Sequence, residues 1–422
     1  MLINHLKEML ATSGIHRSMD TIVDILNNSF DNLDSENQYK IVAFLKDTIQ
    51  KEANIAIDNA GGDGAVIAAT GSGKSKVAIN RAIKIISKNP EAKILIVVPL
   101  IGLKLNWRDE FIKWGYIDQF FKNIEILCYA SLSKERNETY DLVVFDELHN
   151  ITPNHLPFFK YNSIKNKIGL TATIPHDKMK RDFLTAIKLL PVYRLNINEA
   201  TDLRIVTPYH IYVVDLHLNN VDKTISVGGK TKKFKVTERN NYDYLNKLVS
   251  EAPTEANVRK MLRFLKGLES RTNIARLFLK HVIPPEIRTI IFCASIEQAD
   301  QLSQNSFHSK KRDKSGFAKF CNMEVNEMSC VDAVNEGHNI SNVDCGFMLY
   351  VDSTQLSFEQ RLGRVIRFRP GKTGTVIILN YRETREAHWV RSALAGISSK
   401  VSRVTYLDIN DLRTGKIKIP FN

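Results

Sequence analysis

The segment from Ala68 to Ser75 reads AATGSGKS and lies between an apolar run and a stretch of helical spacing. Glycines at 71 and 73 let backbone N–H groups approach an anion closely, and the N-terminus of a following helix faces the same anion. Lys74 is placed to reach β- and γ-phosphates, and the Ser75 hydroxyl to hold Mg²⁺. Thr70, Gly71, Ser72, Gly73, Lys74 and Ser75 are therefore the candidate binding residues for a nucleoside triphosphate such as ATP. Ala68 stands where the general pattern has its first glycine. A plain Gly/Ser loop with a solvated lysine would not require the strand–loop–helix setting that surrounds this one.

A second constellation is acidic. DLVVFDELH ends an apolar run with Asp146 and Glu147. Carboxylates at the carboxyl end of a parallel strand face the ligand crevice. Asp146 is the candidate Mg²⁺ ligand, and Glu147 the candidate base for an attacking water. A third is basic: QRLGRVIR sets Gln360, Arg364 and Arg367 at i, i+4 and i+7. That spacing predicts one helix face carrying an amide and two guanidiniums toward one anion.

These groups need a scaffold. Residues 1–58 read as helical, with Leu6, Met9, Leu10, Ile22, Ile25, Leu26, Ile41, Phe44 and Leu45 at helical spacing and a polar break between Asn27 and Asn37. After Gly61, Gly62 and Gly64 the chain alternates strand-like runs (AVIAA, KILIVVP, IEILCYA, DLVVFDE, KIGLTAT) with helical segments. Such alternation implies a parallel sheet covered on both faces. A join is expected from Pro191 to about Pro208. HIYVVDLHL then reads as an alternating strand, VGGKTKKFKV as a Gly-Gly hairpin, and RTIIFCA, GFMLYV and TVIILNY as strands of a second unit. The fold class is thus α/β, with residues 1–58 a helical lead-in, 59–197 a first domain and 198–422 a second, the latter carrying a basic hairpin near 225–237.

Composition fits this reading. Of 422 residues, 43% are hydrophobic and 25% charged, ordinary for a globular protein, and the length calls for more than one core. The net charge of +13 favours an anionic partner, most commonly nucleic acid. Five cysteines without a Cys-x-x-Cys pair point to reduced thiols rather than zinc or disulfides. The N-terminus is too polar for a signal peptide, and no run approaches the roughly 20 apolar residues of a membrane span. A cytoplasmic protein is expected, in the host cell if viral.

In their order along the chain these motifs resemble those of superfamily 2 DExH-type helicases and translocases, over about residues 50 to 380. ATGSGKS is similar to motif I, VVPLIGLKLNW to Ia, DELH to II, LTAT to III, IIFCAS to IV, NEGHNI to V and QRLGRVIR to VI. The resemblance implies two tandem RecA-like domains with ATP and Mg²⁺ in the cleft between them. It implies that His149 senses the nucleotide, that Thr171 and Thr173 link hydrolysis to domain closure, and that Gly337 sits at the cleft. It further implies that Gln360 meets the γ-phosphate or its water, that Arg364 and Arg367 are arginine fingers, and that Gln50 reads adenine. Asn339 replaces the aspartate many relatives carry in motif V.

The family grips one nucleic-acid strand across both domains, largely through phosphates. Pro99 to Leu103 is one expected contact. Lys230, Lys232, Lys233 and Lys235 on the hairpin either wedge a duplex or serve as a charged edge against strand pairing. Trp107 and Trp114 are expected in the core with Phe111 rather than stacked on bases. Motif V makes the chain look most like phage UvsW-type and RecG-like motors, which implies a DNA helicase or translocase working on branched or forked DNA in recombination and repair, with DNA favoured over RNA. A DExH-type RNA helicase and a motor subunit of a restriction or defence complex are the alternatives. Protein partners are not legible.

Overall fold

The computed structural model describes residues 2–116, 118–173, 177–228, 233–331, 340, 342–352 and 355–421. Lys230, Lys232, Gly337 and Asn339 lie outside the described residues.

The first sheet grows from the runs that looked like strands. Its chain order is β1 (Gly64–Ala68), β2 (Ile94–Val98), β3 (Ile124–Cys128), the two-residue β4 (Thr139–Tyr140), β5 (Leu142–Asp146), the two-residue β6 (Ser163–Ile164), β7 (Lys167–Thr171) and β8 (Pro191–Leu195). Six of these form one parallel sheet in the order β3-β2-β5-β7-β1-β8, while β4 and β6 pair with each other. β2 is apolar throughout and fully buried, as a parallel strand covered on both faces requires. The expected join is therefore partly sheet: Pro191–Leu195 pairs with β1 as the edge strand.

The second sheet takes β9 (Tyr209–Leu216), β12 (Thr289–Phe292), β13 (Ser306–Phe307), β14 (Glu327–Cys330), β15 (Cys345–Met348), β16 (Gly374–Tyr381) and β17 (Arg403–Asp408), in the order β13-β14-β12-β15-β16-β9-β17. All its pairs are parallel. β9 is not a half-exposed alternating strand. It lies between β16 and β17, and its polar side chains find lateral partners: His210 Nε2 lies 2.8 Å from Thr405 Oγ1, and Asn380 Nδ2 donates to Asp215 at 2.7 Å. β10 (Ile225–Gly228) and β11 (Lys233–Val236) form the antiparallel hairpin, with Lys233 and Lys235 exposed.

Four helices matter for the site: α1 (Leu2–Ser29, bent at Gly14), α2 (Ser35–Asn59), α3 (Lys74–Lys88) and α4 (Leu103–Lys113). α2 starts where the Asp34 side chain accepts the Asn37 N–H and stops before Gly61 and Gly62, both at positive φ. The two N-terminal helices belong to the same apolar core as one face of each sheet. α2 touches both halves of the molecule. Toward its start, Gln38 Oε1 accepts the Gly371 N–H at 3.1 Å and Tyr39 meets the Phe368 ring edge-on at 5.5 Å. Toward its end, Asn54 Nδ2 donates to the Val77 carbonyl and Asp58 pairs with Arg81 at 2.7 Å. Phe30, just after α1, meets Phe368 from another side.

Candidate nucleotide site between two parallel sheets

The loop after β1 turns on two glycines at φ 89 and 91, Gly71 and Gly73, conformations that L side chains rarely adopt. Gly73 caps α3, which begins at Lys74. The Ser72 hydroxyl donates to the Ala69 carbonyl at 2.7 Å, and Lys74 Nζ donates to the Ala68 carbonyl at 2.8 Å. Burial lowers the Lys74 ammonium below its ordinary value, opposed by Glu147, Asp146 and Glu359. The lysine is thus folded against its own loop and surrounded by carboxylates. Ser75, half-buried, follows it in the first turn of α3.

Gln50 comes to the loop from α2. A Cβ at Gly73 would lie 2.5 Å from Gln50 Nε2, so a side chain there would collide with the amide. Gln50 is buried, and its Oε1 has no hydrogen-bond partner. A buried acceptor without a donor costs on the order of 1–3 kcal/mol, so the position suits a ligand that brings one.

Asp146 is the last residue of β5. Its Oδ2 accepts the Trp107 indole N–H at 2.8 Å, and its Oδ1 accepts the Glu147 N–H at 3.1 Å. Burial, reinforced by Glu147, pushes its carboxyl up to about 7. Glu147 sits at φ 48, a left-handed conformation unusual for glutamate, and its buried Oε2 accepts no hydrogen bond. A carboxylate pressed toward neutrality, a second one with an orphaned oxygen and the Ser75 hydroxyl form a donor set of the kind a hard divalent cation takes.

His149 Nδ1 lies 3.2 Å from Thr171 Oγ1 and 3.5 Å from Glu147 Oε2. The Thr171 hydroxyl already donates to the Thr173 carbonyl at 2.9 Å, and Asn150 Nδ2 lies 3.3 Å from His149 Nε2. Both facts assign the proton to Nδ1, with Nε2 accepting. The DELH and LTAT segments are therefore wired together through the imidazole.

The third constellation arrives from the second sheet. The helix Gln355–Val365 carries Gln360 and Arg364, both buried, and Gln360 Nε2 has no hydrogen-bond partner. A Cβ on Gly363 would lie 2.6 Å from Thr70 Cβ, so this helix presses directly on the phosphate loop. Arg361 donates to the Tyr350 carbonyl at 2.7 Å.

The expected single helix face does not hold for Arg367. The helix ends at Val365, and Pro370 further on has no N–H to offer the Ile366 carbonyl. That carbonyl accepts the Thr207 N–H at 2.8 Å instead, and the Arg367 carbonyl accepts the Thr207 hydroxyl at 2.8 Å. Arg367 is thus held by the strap between β8 and β9. Burial lowers its guanidinium from its ordinary value, with Glu110 opposing.

Four residues near the site escaped sequence reasoning. Trp107 carries the Asp146 hydrogen bond, and nothing in sequence spacing pairs α4 with β5. Trp114, expected in the core with it, is instead 39% exposed, with Lys76 Nζ 3.8 Å from its ring centre. Lys46 lies one helical turn before Gln50, and burial with Lys113 and Arg367 pushes its ammonium down to about 8. Glu359 has its carboxyl raised by burial and lowered by Lys74. Its signal was its place beside Gln360. The hairpin lysines Lys233 and Lys235 enter none of these contacts among the described residues.

Comparison with known proteins agrees with this architecture. The family pattern described as type III restriction enzyme, res subunit, matches residues 35–176, and the helicase conserved C-terminal domain matches residues 274–369. Among solved structures, a fragment of a putative HsdR subunit of a type I restriction enzyme from Vibrio vulnificus is 19% identical, with a TM-score of 0.57 over 86% of this chain and 68% of that one. Mycobacterium smegmatis helicase Lhr, bound to ssDNA and AMP-PNP, is 14% identical, with a TM-score of 0.52 over 88% of this chain and 48% of that one. S. cerevisiae Dbp5, bound to RNA and ADP BeF3, is 13% identical, with a TM-score of 0.54 over 87% and 91%. No curated protein matches the chain in sequence.

The two sheets are thus a pair of RecA-like helicase domains preceded by a helical segment. Both family matches support motor domains of the superfamily 2 helicase type. No described helix is long and apolar enough to cross a membrane.

Proposed function

We propose that this protein is an ATP-dependent DNA helicase or translocase that works on branched or forked DNA through opening and closing of its two RecA-like domains. The observation that carries the motor reading is the contact of Gly363 with Thr70, which places residues of both sheets around one phosphate loop. In the proposed mechanism the loop N–H groups and Lys74 would take the phosphates, leaving the carbonyls of Ala68 and Ala69 that the lysine now contacts. Ser75 and Asp146 would hold Mg²⁺, which when bound supplies charge neutralisation at the phosphates. Glu147 would take a proton from the attacking water, its Oε2 accepting no hydrogen bond within the protein and lying 3.5 Å from His149 Nδ1. Gln360 would orient that water. Arg364 and Arg367 would offset the charge that develops on the transferred phosphoryl group. Gln50 would read the base. The imidazole link from His149 to Thr171 would pass the state of this site to the end of β7.

The net charge of +13 suits a polyanionic track, and DNA is the track we favour. Motif V carries the likeness to fork-acting motors in sequence alone, and Gly337 and Asn339 within it lie outside the described residues. A second reading is a motor subunit of a restriction complex. The res-subunit match over residues 35–176 and the likeness to the HsdR fragment favour it. An RNA helicase remains the third. A panel of single-stranded, duplex and forked DNA and RNA separates them by ATPase stimulation and strand displacement. Forked DNA giving the strongest stimulation, with unwinding by the isolated chain, supports the proposal. Stimulation by RNA alone overturns it, and DNA stimulation without unwinding, with a nuclease co-purifying, transfers it to the restriction reading.

A further inference from the structure

Trp107 is buried midway along α4, packed on Phe111 with ring centres 6.3 Å apart. A buried indole N–H needs an acceptor. Here it takes the acidic end of β5, donating to Asp146 Oδ2 at 2.8 Å. Oδ1 of the same carboxylate accepts the Glu147 N–H. Each oxygen is tied by one donor from the protein, which fixes the plane of the carboxylate and leaves further lone-pair capacity on both. Outer donors of this kind orient metal-binding carboxylates, and their loss typically costs about 10–100-fold in metal affinity or activity.

α4 has a second end. It begins at Leu103, after the capping Gly102 and the exposed apolar Leu100 and Ile101 (49% and 78%) on the loop that follows β2. Trp107 stands about one turn into the helix from that loop. A helix moves as a rigid piece, and a hydrogen bond at 2.8 Å is lost when its partners part by under an ångström. Any polynucleotide that shifts the loop therefore shifts the indole against Asp146.

We infer that Trp107 is a positioning residue that sets the Asp146 carboxylate for its cation and couples that setting to polynucleotide bound at the 99–103 loop. This rests on the nucleotide reading of the site proposed above.

The test uses the full chain, whose three tryptophans keep the spectrum simple. Indole ¹⁵N–¹H spectra are assigned with Trp114→Phe and Trp389→Phe, so that Trp107 is identified in a protein that retains it. Its resonance should move when a single-stranded oligonucleotide is added without nucleotide, and move again with ADP and Mg²⁺. Trp107→Phe keeps the ring and removes the N–H. Mn²⁺ affinity in the presence of ADP, read by electron paramagnetic resonance, should fall about 10–100-fold in that variant. A purely packing role leaves Mn²⁺ affinity unchanged. If wild type binds ADP and Mn²⁺ while Trp107→Phe stays within twofold of it, or an oligonucleotide shown to bind leaves the Trp107 resonance unmoved, the inference is overturned alone, whereas an oligonucleotide that does not bind overturns the polynucleotide reading with it. A wild type that fails to bind ADP and Mn²⁺ removes the nucleotide reading and this inference with it. Should Trp107→Phe not fold, the wild-type indole spectra decide.

Discussion

Gly363, on a helix of the second sheet's half, and Thr70, on the loop after β1, come so close that a single methyl added to Gly363 would lie within 2.6 Å of Thr70 Cβ. The nearest atom is a Cβ, so trimming threonine to alanine would not make room. Gly363→Ala should therefore hold the Gln355–Val365 helix off the phosphate loop while leaving each sheet intact. Turnover is expected to fall by about 100-fold, the scale of a 1 Å misplacement in catalytic geometry. Steady-state ATPase assays, with circular dichroism to show folding, check this, and a kcat within threefold of wild type would refute it.

Glu147 and Lys74 should fail differently. Glu147→Gln removes the candidate base and preserves shape, so ATP binding should persist while hydrolysis drops by about 10²–10⁴-fold. Lys74→Ala removes the charge meant for the phosphates and should weaken binding as well as hydrolysis. Fluorescent-nucleotide anisotropy beside phosphate release separates the two. Full turnover in Glu147→Gln would end its assignment as base.

Arg364 lies on a helix and Arg367 on the segment pinned by Thr207. Each change to alanine should slow turnover more than binding, toward the ~10³-fold range of arginine fingers. Pro370→Ala restores an N–H for the Ile366 carbonyl and lets the helix compete for one more turn. It should mimic Arg367→Ala and leave Arg364 in place. Normal turnover in both arginine variants would remove the finger proposal.

Arg271 and Glu386 form a fully buried ion pair at 2.5 Å beneath the second sheet. Replacing Arg271 by Met strands the carboxylate and should cost about 3–5 kcal/mol. Pairing that change with Glu386→Leu should recover most of the loss. Urea unfolding of the single and double variants measures both, and additive losses would contradict the pairing.

Lys46 gives a pH-dependent expectation. Its proton is held to about pH 10.5 in the unfolded chain and only to about 8 in the folded one. Between those values the unfolded state binds more protons, so this lysine makes stability rise with pH there. Below that window both states are charged and the penalty is constant. Lys46→Met should therefore be stabilising by a steady amount at pH 6–7, with the advantage shrinking above pH 8. Unfolding midpoints across pH 6 to 10 test this, and a difference that does not change with pH would refute it.

What the sequence made readable was whatever depends on local pattern. β2 is a run of five buried residues and β5 a run of four before Asp146, and such runs announce themselves. The phosphate loop is equally local, so its glycines fall where their spacing puts them. Contacts between distant segments were not readable. Trp107 looked like ordinary core, and its hydrogen bond to β5 depends on the crossing of two elements that no spacing records. Arg367 was misplaced because helical spacing was extended past Val365, where Thr207 rather than the next helical turn meets the carbonyls. β9 was read as an alternating strand, but not as an interior one, because no spacing records that His210 and Asp215 find lateral partners on β17 and β16. Residues 1–58 looked like an uninformative preface for a related reason: their partners at Phe368 and Gly371 lie more than 300 positions away.

That last feature bears on how this molecule can be taken apart. Severing the chain between β8 and β9 would not release two self-sufficient pieces. The amino-terminal fragment would keep α2 but expose Gln38, Tyr39 and Phe30, and the carboxy-terminal fragment would keep Phe368 with no aromatic neighbours to receive it. In the proposed opening, α2 would either give up its hold on Gly371 or be drawn along with it, and Gln50 rides on the same rod. In the proposed mechanism, base reading by Gln50 and the freedom of the two halves to separate would therefore be a single mechanical variable.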